Sequence, residues 1–245
     1  MTARNPIIVA LDVDSPERAL ALADQLRGAV GAVKVGSQLF TAAGPDIVRR
    51  LTERGHRVFL DLKYHDIPNT VAGAAAAAAK LGAWMIDVHA SGGLAMMKAA
   101  RESARASAEA VGVTPPLVIA ITVLTSFDQN TIASVGIQRP IVDQVEALAW
   151  LAQEAGLDGV VASPHEVARL RSARGDRFVL VTPGIRASAP DEASRKRDDQ
   201  ARTMTAGAAI AAGASFIVVG RPIIAAPDPL AAAEALAKSL ESSFR

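Results

Sequence analysis

Cysteine is absent from the chain, so disulfides, thiolate nucleophiles and cysteine-based zinc sites are excluded, and a reducing compartment is suited. Neither sign of charge is in excess. Lysine and arginine number 26 against 25 aspartates and glutamates, which leaves no broad basic field for nucleic acid or an anionic membrane. The partners expected are small molecules or protein. Long apolar runs are missing too. The best, residues 206–220, is broken by Gly207, Gly213 and Ser215 and falls short of the roughly 20 residues of a membrane span, so it reads as a helix followed by a buried strand. The opening residues MTARNPIIVALD enter a strand pattern at once, without the apolar region and cleavage site of a secretory signal, and a cytoplasmic protein is expected. Three catalytic signatures are also wanting: a G-x-G-x-x-G after the first strand, a G-x-S-x-G elbow, and histidines at metal-binding spacing. His56, His65, His89 and His165 are therefore expected to make structural hydrogen bonds.

What is present is an alternation repeated eight times. Short, continuously apolar segments at residues 6–12, 32–36, 58–63, 84–89, 116–122, 159–163, 177–182 and 215–219 read as strands. Helical stretches lie between them, several opened by Ser-Pro or Gly-Pro and closed by glycine, as at Ser15-Pro16, Gly44-Pro45, Gly82, Gly156 and Gly213. Pro68, with Asn69 and Thr70 as cap-type residues, opens the alanine-rich helix that follows the third strand. Strands that are apolar throughout, rather than on alternate residues, are buried on both faces, as in a parallel sheet. Eight strand–helix units in 245 residues, half of them hydrophobic, predict an α/β fold of the single-domain (β/α)8 TIM-barrel class spanning residues 1–245; an open doubly wound sheet is the alternative. Residues 184–201 are polar, dense in both charges and without a period, and are expected to form a mobile loop.

Charge is concentrated in one segment. Residues 59–70 read FLDLKYHDIPNT, and there an apolar strand ends in Asp61, Lys63, His65 and Asp66. In a regular strand Asp61 and Lys63 share a face with Leu62 opposite. An ordinary salt bridge would account for that pair alone. Asp66 adds a second carboxylate around one ammonium, which favours the charged form of the lysine and fits a general acid better than a Schiff-base nucleophile. On a barrel the catalytic face lies at the strand C-termini, which here carry Asp12, Lys34, Asp61, Lys63, Asp66, His89, Thr125, Ser126, Ser163, Arg186, Gly220 and Arg221. The segments VTPGIR and VVGRPI end the seventh and eighth strands, where barrels commonly hold phosphate. Glycine lets backbone N–H groups approach an anion, and arginine grips it through paired hydrogen bonds, so a phosphorylated small substrate is expected.

The D-x-K-x-x-D of residues 61–66 followed by IPNT, with ALD in the first strand, KVG in the second, VHASGG in the fourth, LTS after the fifth, TPGIR in the seventh and VVGRPI in the eighth, closely resembles the bacterial orotidine 5'-phosphate decarboxylases. The resemblance runs in order along essentially the whole chain. It implies decarboxylation of orotidine 5'-monophosphate to UMP and CO2, the last step of de novo pyrimidine synthesis, without metal or organic cofactor. By the same resemblance Lys63 is the proton donor to C6, and Asp61 sits where the departing carboxylate binds. Asp66 reaches the neighbouring site of a homodimer. Asp12 and Lys34 contact the ribose, Thr70 lies beside the site, and Thr125 and Ser126 read the pyrimidine. Arg186, Gln200, Gly220 and Arg221 hold the phosphate, and residues 184–201 form the lid. The segment between Arg186 and Gln200 is longer and more charged than the resemblance leads one to expect. Sugar-phosphate decarboxylases and synthases share D-x-K-x-x-D but use Mg²⁺ and an acidic ligand in the second strand, where this chain has Lys34. A silent barrel binding a phosphoribosyl ligand is a further alternative, against which the retained charges argue.

Overall fold

The computed structural model describes residues 5–186 and 204–241. Eight parallel strands close into a barrel: β1 (Ile7–Ala10), β2 (Ala32–Gly36), β3 (Val58–Tyr64), β4 (Met85–His89), β5 (Leu117–Ile121), β6 (Gly159–Val161), β7 (Val179–Thr182) and β8 (Phe216–Val219). Neighbours in sequence are neighbours in space, and β1 closes the ring by pairing Val9 with Val33 of β2 on one side and Val219 of β8 on the other. This is the (β/α)8 barrel expected from the eight apolar runs.

Burial on both faces explains those runs. Side chains on one face of the strands, Ile8, Ala32, Phe59, Met85, Ile119 and Val181, pack together as a core inside the barrel. Their alternates, among them Val9, Val33, Leu60, Ile86, Val118 and Ile217, pack outward against the helices. Each large side chain so buried contributes about 1.5–3 kcal/mol.

The helices obey their sequence signals with two exceptions. Helix α1 (Pro16–Gln25) starts where Ser15 Oγ accepts from Arg18 N at 3.3 Å, with Pro16 in the first turn, and it buries Ala19, Leu20, Leu22 and Ala23. Two helices, α2 (Ser37–Ala43) and α3 (Asp46–Glu53), stand where one was expected, because the chain turns helical directly after Gly36 and breaks at Gly44, whose φ is +66°. The helix after β3, α4 (Pro68–Lys80), has Ile67 at its N-cap and no side-chain cap, so Asn69 and Thr70 belong to its first turn and do not cap it. Alanines at 75, 78 and 79 let α4 approach α5 (Gly93–Ala110), which buries Ala100, Ala104 and Ala108 in return. Helices α6 (Gln129–Ser134), α7 (Ile141–Glu154), α8 (Val167–Arg174), α9 (Ala206–Ala211), α10 (Arg221–Ile224) and α11 (Pro229–Glu241) follow the remaining strands. Of the expected lid segment, Ile185–Arg186 forms a two-residue pairing with Met204–Thr205, and residues 187–203 lie outside the described residues. Residues 206–220 fold as α9 and β8, and no helix among the described residues is long and apolar enough to cross a membrane.

Candidate active site

Just above the interior apolar layer, four charges form an alternating line. Asp12 follows β1, Lys34 lies in β2, and Asp61 and Lys63 lie in β3. Lys34 Nζ is 3.3 Å from Asp12 Oδ1 and 3.2 Å from Asp61 Oδ2, and Lys63 Nζ bonds the other Asp61 oxygen, Oδ1. Asp61 is 8% exposed and Lys34 9%, so the central pair is withdrawn from water while the outer two groups reach the mouth. Opposite charges held this close in a poorly hydrated setting interact far more strongly than on a surface. Burial works against the Lys34 ammonium, but the Asp61 and Asp12 carboxylates outweigh it and lift its pKa above the ordinary lysine value. Burial likewise opposes the Asp61 carboxylate, yet a hydrogen bond with Asp87 and the two ammonium groups hold its pKa below the usual carboxylate range.

Gly36 makes room for this line. A Cβ at that position would sit 2.8 Å from Lys34 Nζ, which its two ion pairs keep in place, so only glycine leaves the ammonium where it is.

The end of β3 departs from the regular alternation that the sequence suggested. The pairing of β3 with β4 runs Leu60 with Ile86 and then Tyr64 with Val88, so β3 carries extra residues in an irregular stretch between. Lys63 takes φ +53°, the only non-glycine residue with positive φ among those described. Asp61 and Lys63 still meet, but through this bulge and not by simple two-residue periodicity. The Lys63 N–H, displaced from the ladder, donates to Asp87 Oδ1 at 2.8 Å.

Asp87 was not singled out from the sequence. It is completely buried in β4, and burial followed by the Asp61 charge pushes its carboxyl well above the usual range. The signal was available: an acid inside the apolar run MIDVH is as costly as Asp61 in VFLDLKY, but it has no lysine two residues on to mark it. Tyr64, beside it, is pushed up to about 12 by burial and then by Asp87.

The other expected residues fall into three groups. Gly220 lies beside Asp12 at the ends of the paired strands β8 and β1, since a Cβ there would lie 3.8 Å from Asp12 Oδ2. Arg221 follows it, exposed, as the first residue of α10, and the Ile185–Arg186 strand lies beside β8, so the two arginines come from adjacent loops. Thr125, half-buried, and Ser126, exposed, form the turn after β5. Asp66 and Thr70 are exposed beyond the end of β3. Asp66 Oδ1 accepts from Ile67 N at 2.6 Å, and the carboxylate joins no ion pair with Lys63 of its own chain. Gln200 lies outside the described residues.

Of the four histidines, His56 makes the expected structural hydrogen bond, to Asp24 at 3.0 Å. His65 and His89 stack with ring centroids 5.3 Å apart, and burial, then the neighbouring His65 and Lys63, lower the pKa of His89. At the opposite end of the barrel a recess of about 280 Å³ is lined by Arg27, His56 and Arg57 among others. Its basic side chains are engaged: Arg27 and His56 bond Asp24 at 2.8 and 3.0 Å, and Arg57 stacks on Trp84 at 5.8 Å. The His56 contact, then Arg27, bring Asp24 down to about 2. The recess is therefore a structural ion cluster, and the candidate site is the line of charges at the strand C-termini.

Known proteins resemble the chain along nearly its whole length. The orotidine 5'-phosphate decarboxylase / HUMPS family profile matches residues 5–236. The chain is 52% identical over 242 residues to an orotidine 5'-phosphate decarboxylase of Moorella thermoacetica, covering 98% of this chain and 94% of that one. It is 50% identical over 242 residues to one of Syntrophotalea carbinolica, covering 99% and 97%. Among solved structures, orotidine 5'-phosphate decarboxylase from Lactobacillus acidophilus superposes with a TM-score of 0.84 at 42% identity, covering 96% of this chain and 99% of that one. With its closed eight-strand barrel and its D-x-K-x-x-D at the end of β3, the chain belongs to the orotidine 5'-phosphate decarboxylase / HUMPS family.

Proposed function

We propose that this chain decarboxylates orotidine 5'-monophosphate to UMP and CO2, the closing step of de novo pyrimidine synthesis, with no metal or organic cofactor. The observation that carries the reading is the alternating line Asp12, Lys34, Asp61, Lys63, fixed by ion pairs on an apolar floor. Relatives at about half identity over nearly the whole chain bear the name of that activity.

The chemistry asks for such a line. When the C6–carboxylate bond breaks, its electron pair stays on C6, and the ring offers no adjacent electron sink. Stabilisation must come from charge already in place, because a preorganised ammonium in a site shielded from water needs no rearrangement at the moment of reaction. Lys63 supplies that charge, then passes a proton from Nζ to C6 and is recharged from solvent. Asp61, next to the departing carboxylate, repels it, and the repulsion vanishes as neutral CO2 forms. Lys34 keeps Asp61 ionised and, with Asp12, meets the ribose. Thr125 and Ser126 read the ring, and Thr70 borders it. Gly220, Arg221 and Arg186 hold the phosphate, with Gln200 as a further contact. Binding energy at the phosphate offsets the repulsion at C6.

A Mg²⁺-dependent sugar-phosphate reaction is the competing activity for D-x-K-x-x-D. Lys34 opposes it, because an ammonium 3.2 Å from Asp61 occupies the electrostatic position a divalent cation would need. Metal-free protein is expected to consume orotidine 5'-monophosphate, followed by absorbance, at a rate indifferent to chelator. Activity restricted to sugar phosphates with Mg²⁺ would transfer the chain to the competing reading. Folded protein that binds UMP without turnover would be a silent ligand-binding barrel.

The unit of function in this reading is a homodimer of one-domain barrels in the cytoplasm. Asp66, unpaired with its own Lys63 and followed by Ile67 at 65% exposure, is suited to extend the neighbouring subunit's charge line. Mixing inactive Lys63→Ala and Asp66→Asn subunits in equal amounts should then restore about a quarter of the parent activity, since half the dimers are mixed and each has one intact site. No recovery from well-mixed subunits would confine Asp66 to its own chain.

A further inference from the structure

Asp87 has no part in the reaction described above, yet it touches both groups at its centre. Its Oδ1 accepts the Lys63 N–H at 2.8 Å. Its Oδ2 is buried and receives no donor from the described residues, and the acidic group that acts on Asp87 is the Asp61 carboxylate of the neighbouring strand. Two ionised carboxylates only accept and repel one another, so a proton on one of them would supply the donor that the buried Oδ2 of Asp87 lacks. Asp61 has two ammonium groups within reach, Lys34 and Lys63, and is stable as an anion there. Asp87 has a backbone amide, the Asp61 charge, Tyr64 and the Lys63 ammonium on the β3 side, Lys34 beyond them, and His89 farther along its own strand; Lys63 favours its ionised form, but burial and the Asp61 charge outweigh it. The β5 strand on its other side, Leu117–Ile121, offers only aliphatic side chains. The proton therefore belongs to Asp87.

We propose that Asp87 is a positioning residue, a neutral carboxylic acid that donates its O–H to Asp61 and accepts the N–H of Lys63, so that one buried side chain fixes both the anion and the proton donor. The inference rests on the decarboxylase reading. A residue with a side chain at φ +53° is strained relative to ordinary backbone, and the bulge has taken Lys63 N–H out of the sheet ladder. Asp87 replaces the lost ladder partner and holds the strained turn that aims Lys63 along the line of charges. With Asp87 neutral, Asp12, Lys34, Asp61 and Lys63 balance. With Asp87 ionised, a second anion would press against Asp61 and draw Lys63 toward itself.

Asparagine is the informative substitution, because it keeps an oxygen for Lys63 N–H and a donor for Asp61 while remaining neutral. In the full-length enzyme, Asp87→Asn is expected to keep kcat and KM within about threefold of the parent, with an unchanged pH profile. Asp87→Val, which removes donor and acceptor, should lower kcat by about 10²-fold through misplacement of Lys63 and Asp61, with KM changed far less. The infrared difference spectrum between parent and Asp87→Asn at neutral pH should contain the C=O stretch of a protonated carboxylic acid, whatever the fate of the valine variant. Loss of kcat in Asp87→Asn, or a spectrum without that band, would overturn the neutral assignment. Parent-like kcat in Asp87→Val would overturn the positioning role. Absence of turnover by the parent with the band present would instead sink the decarboxylase reading and leave the protonation of Asp87 standing.

Discussion

Lys63→Ala is expected to lower kcat for orotidine 5'-monophosphate by about 10⁴-fold or more while leaving the protein folded. General-acid catalysis contributes about 10²–10⁴-fold, and a preorganised charge facing the reacting centre adds about 10²–10³-fold; in the proposed reaction Lys63 supplies both. The fold should tolerate the change. The Lys63 side chain is 36% exposed at the mouth, and alanine retains the N–H that Asp87 accepts. Asp61 keeps its contact with Lys34 at 3.2 Å, so no buried carboxylate is left without a cation. Absorbance kinetics beside a thermal melt test both halves of the expectation. Turnover surviving within tenfold would remove Lys63 as the donor, whereas a collapsed melting transition would assign the loss to folding.

Arg221→Ala should lower kcat/KM by about 10²-fold for the nucleotide and leave the slow reaction of the phosphate-free nucleoside, orotidine, unchanged. Hydrogen bonds to charged groups contribute about 1.5–3 kcal/mol, and a guanidinium gripping phosphate through two of them accounts for that factor. The nucleoside comparison isolates the cause. A residue that holds phosphate affects only the substrate that carries one, while a residue that merely props up the Gly220 turn would impair both substrates equally. Equal losses would take Arg221 out of the phosphate site.

The barrel was legible because a parallel strand buried on both faces has to be apolar at every position, and eight such runs stand clear of their helices. Charge within those runs marked Lys34, Asp61 and Lys63 for the same reason. What escaped was geometry that the period does not encode. The bulge between Leu60 and Tyr64 changes how Lys63 reaches Asp61 without changing a residue type. Helix α2 follows β2 with no side-chain cap to announce it, and the helix after β3 begins under Ile67 although Asn69 and Thr70 look like caps. Asp87 carried the same warning as Asp61 and went unread, because its partners lie 24 and 26 residues away on another strand. Pairing across strands is a property of the closed barrel, and a linear pattern does not hold it.

The apolar layer beneath the charges also governs traffic. Ile8, Ala32, Phe59, Met85, Ile119 and Val181 plug the interior, each at most 5% exposed, so nothing passes through the bottom of the barrel. In the proposed reaction, orotidine 5'-monophosphate, UMP, carbon dioxide and the proton that recharges Lys63 would all use the open end at the strand C-termini as their doorway. A nucleotide anchored by its phosphate at the rim stands in that doorway, and only a small uncharged molecule can slip past it. The proposed reaction would accordingly release carbon dioxide first and UMP second, with the lysine made ready for the next cycle once the doorway is clear.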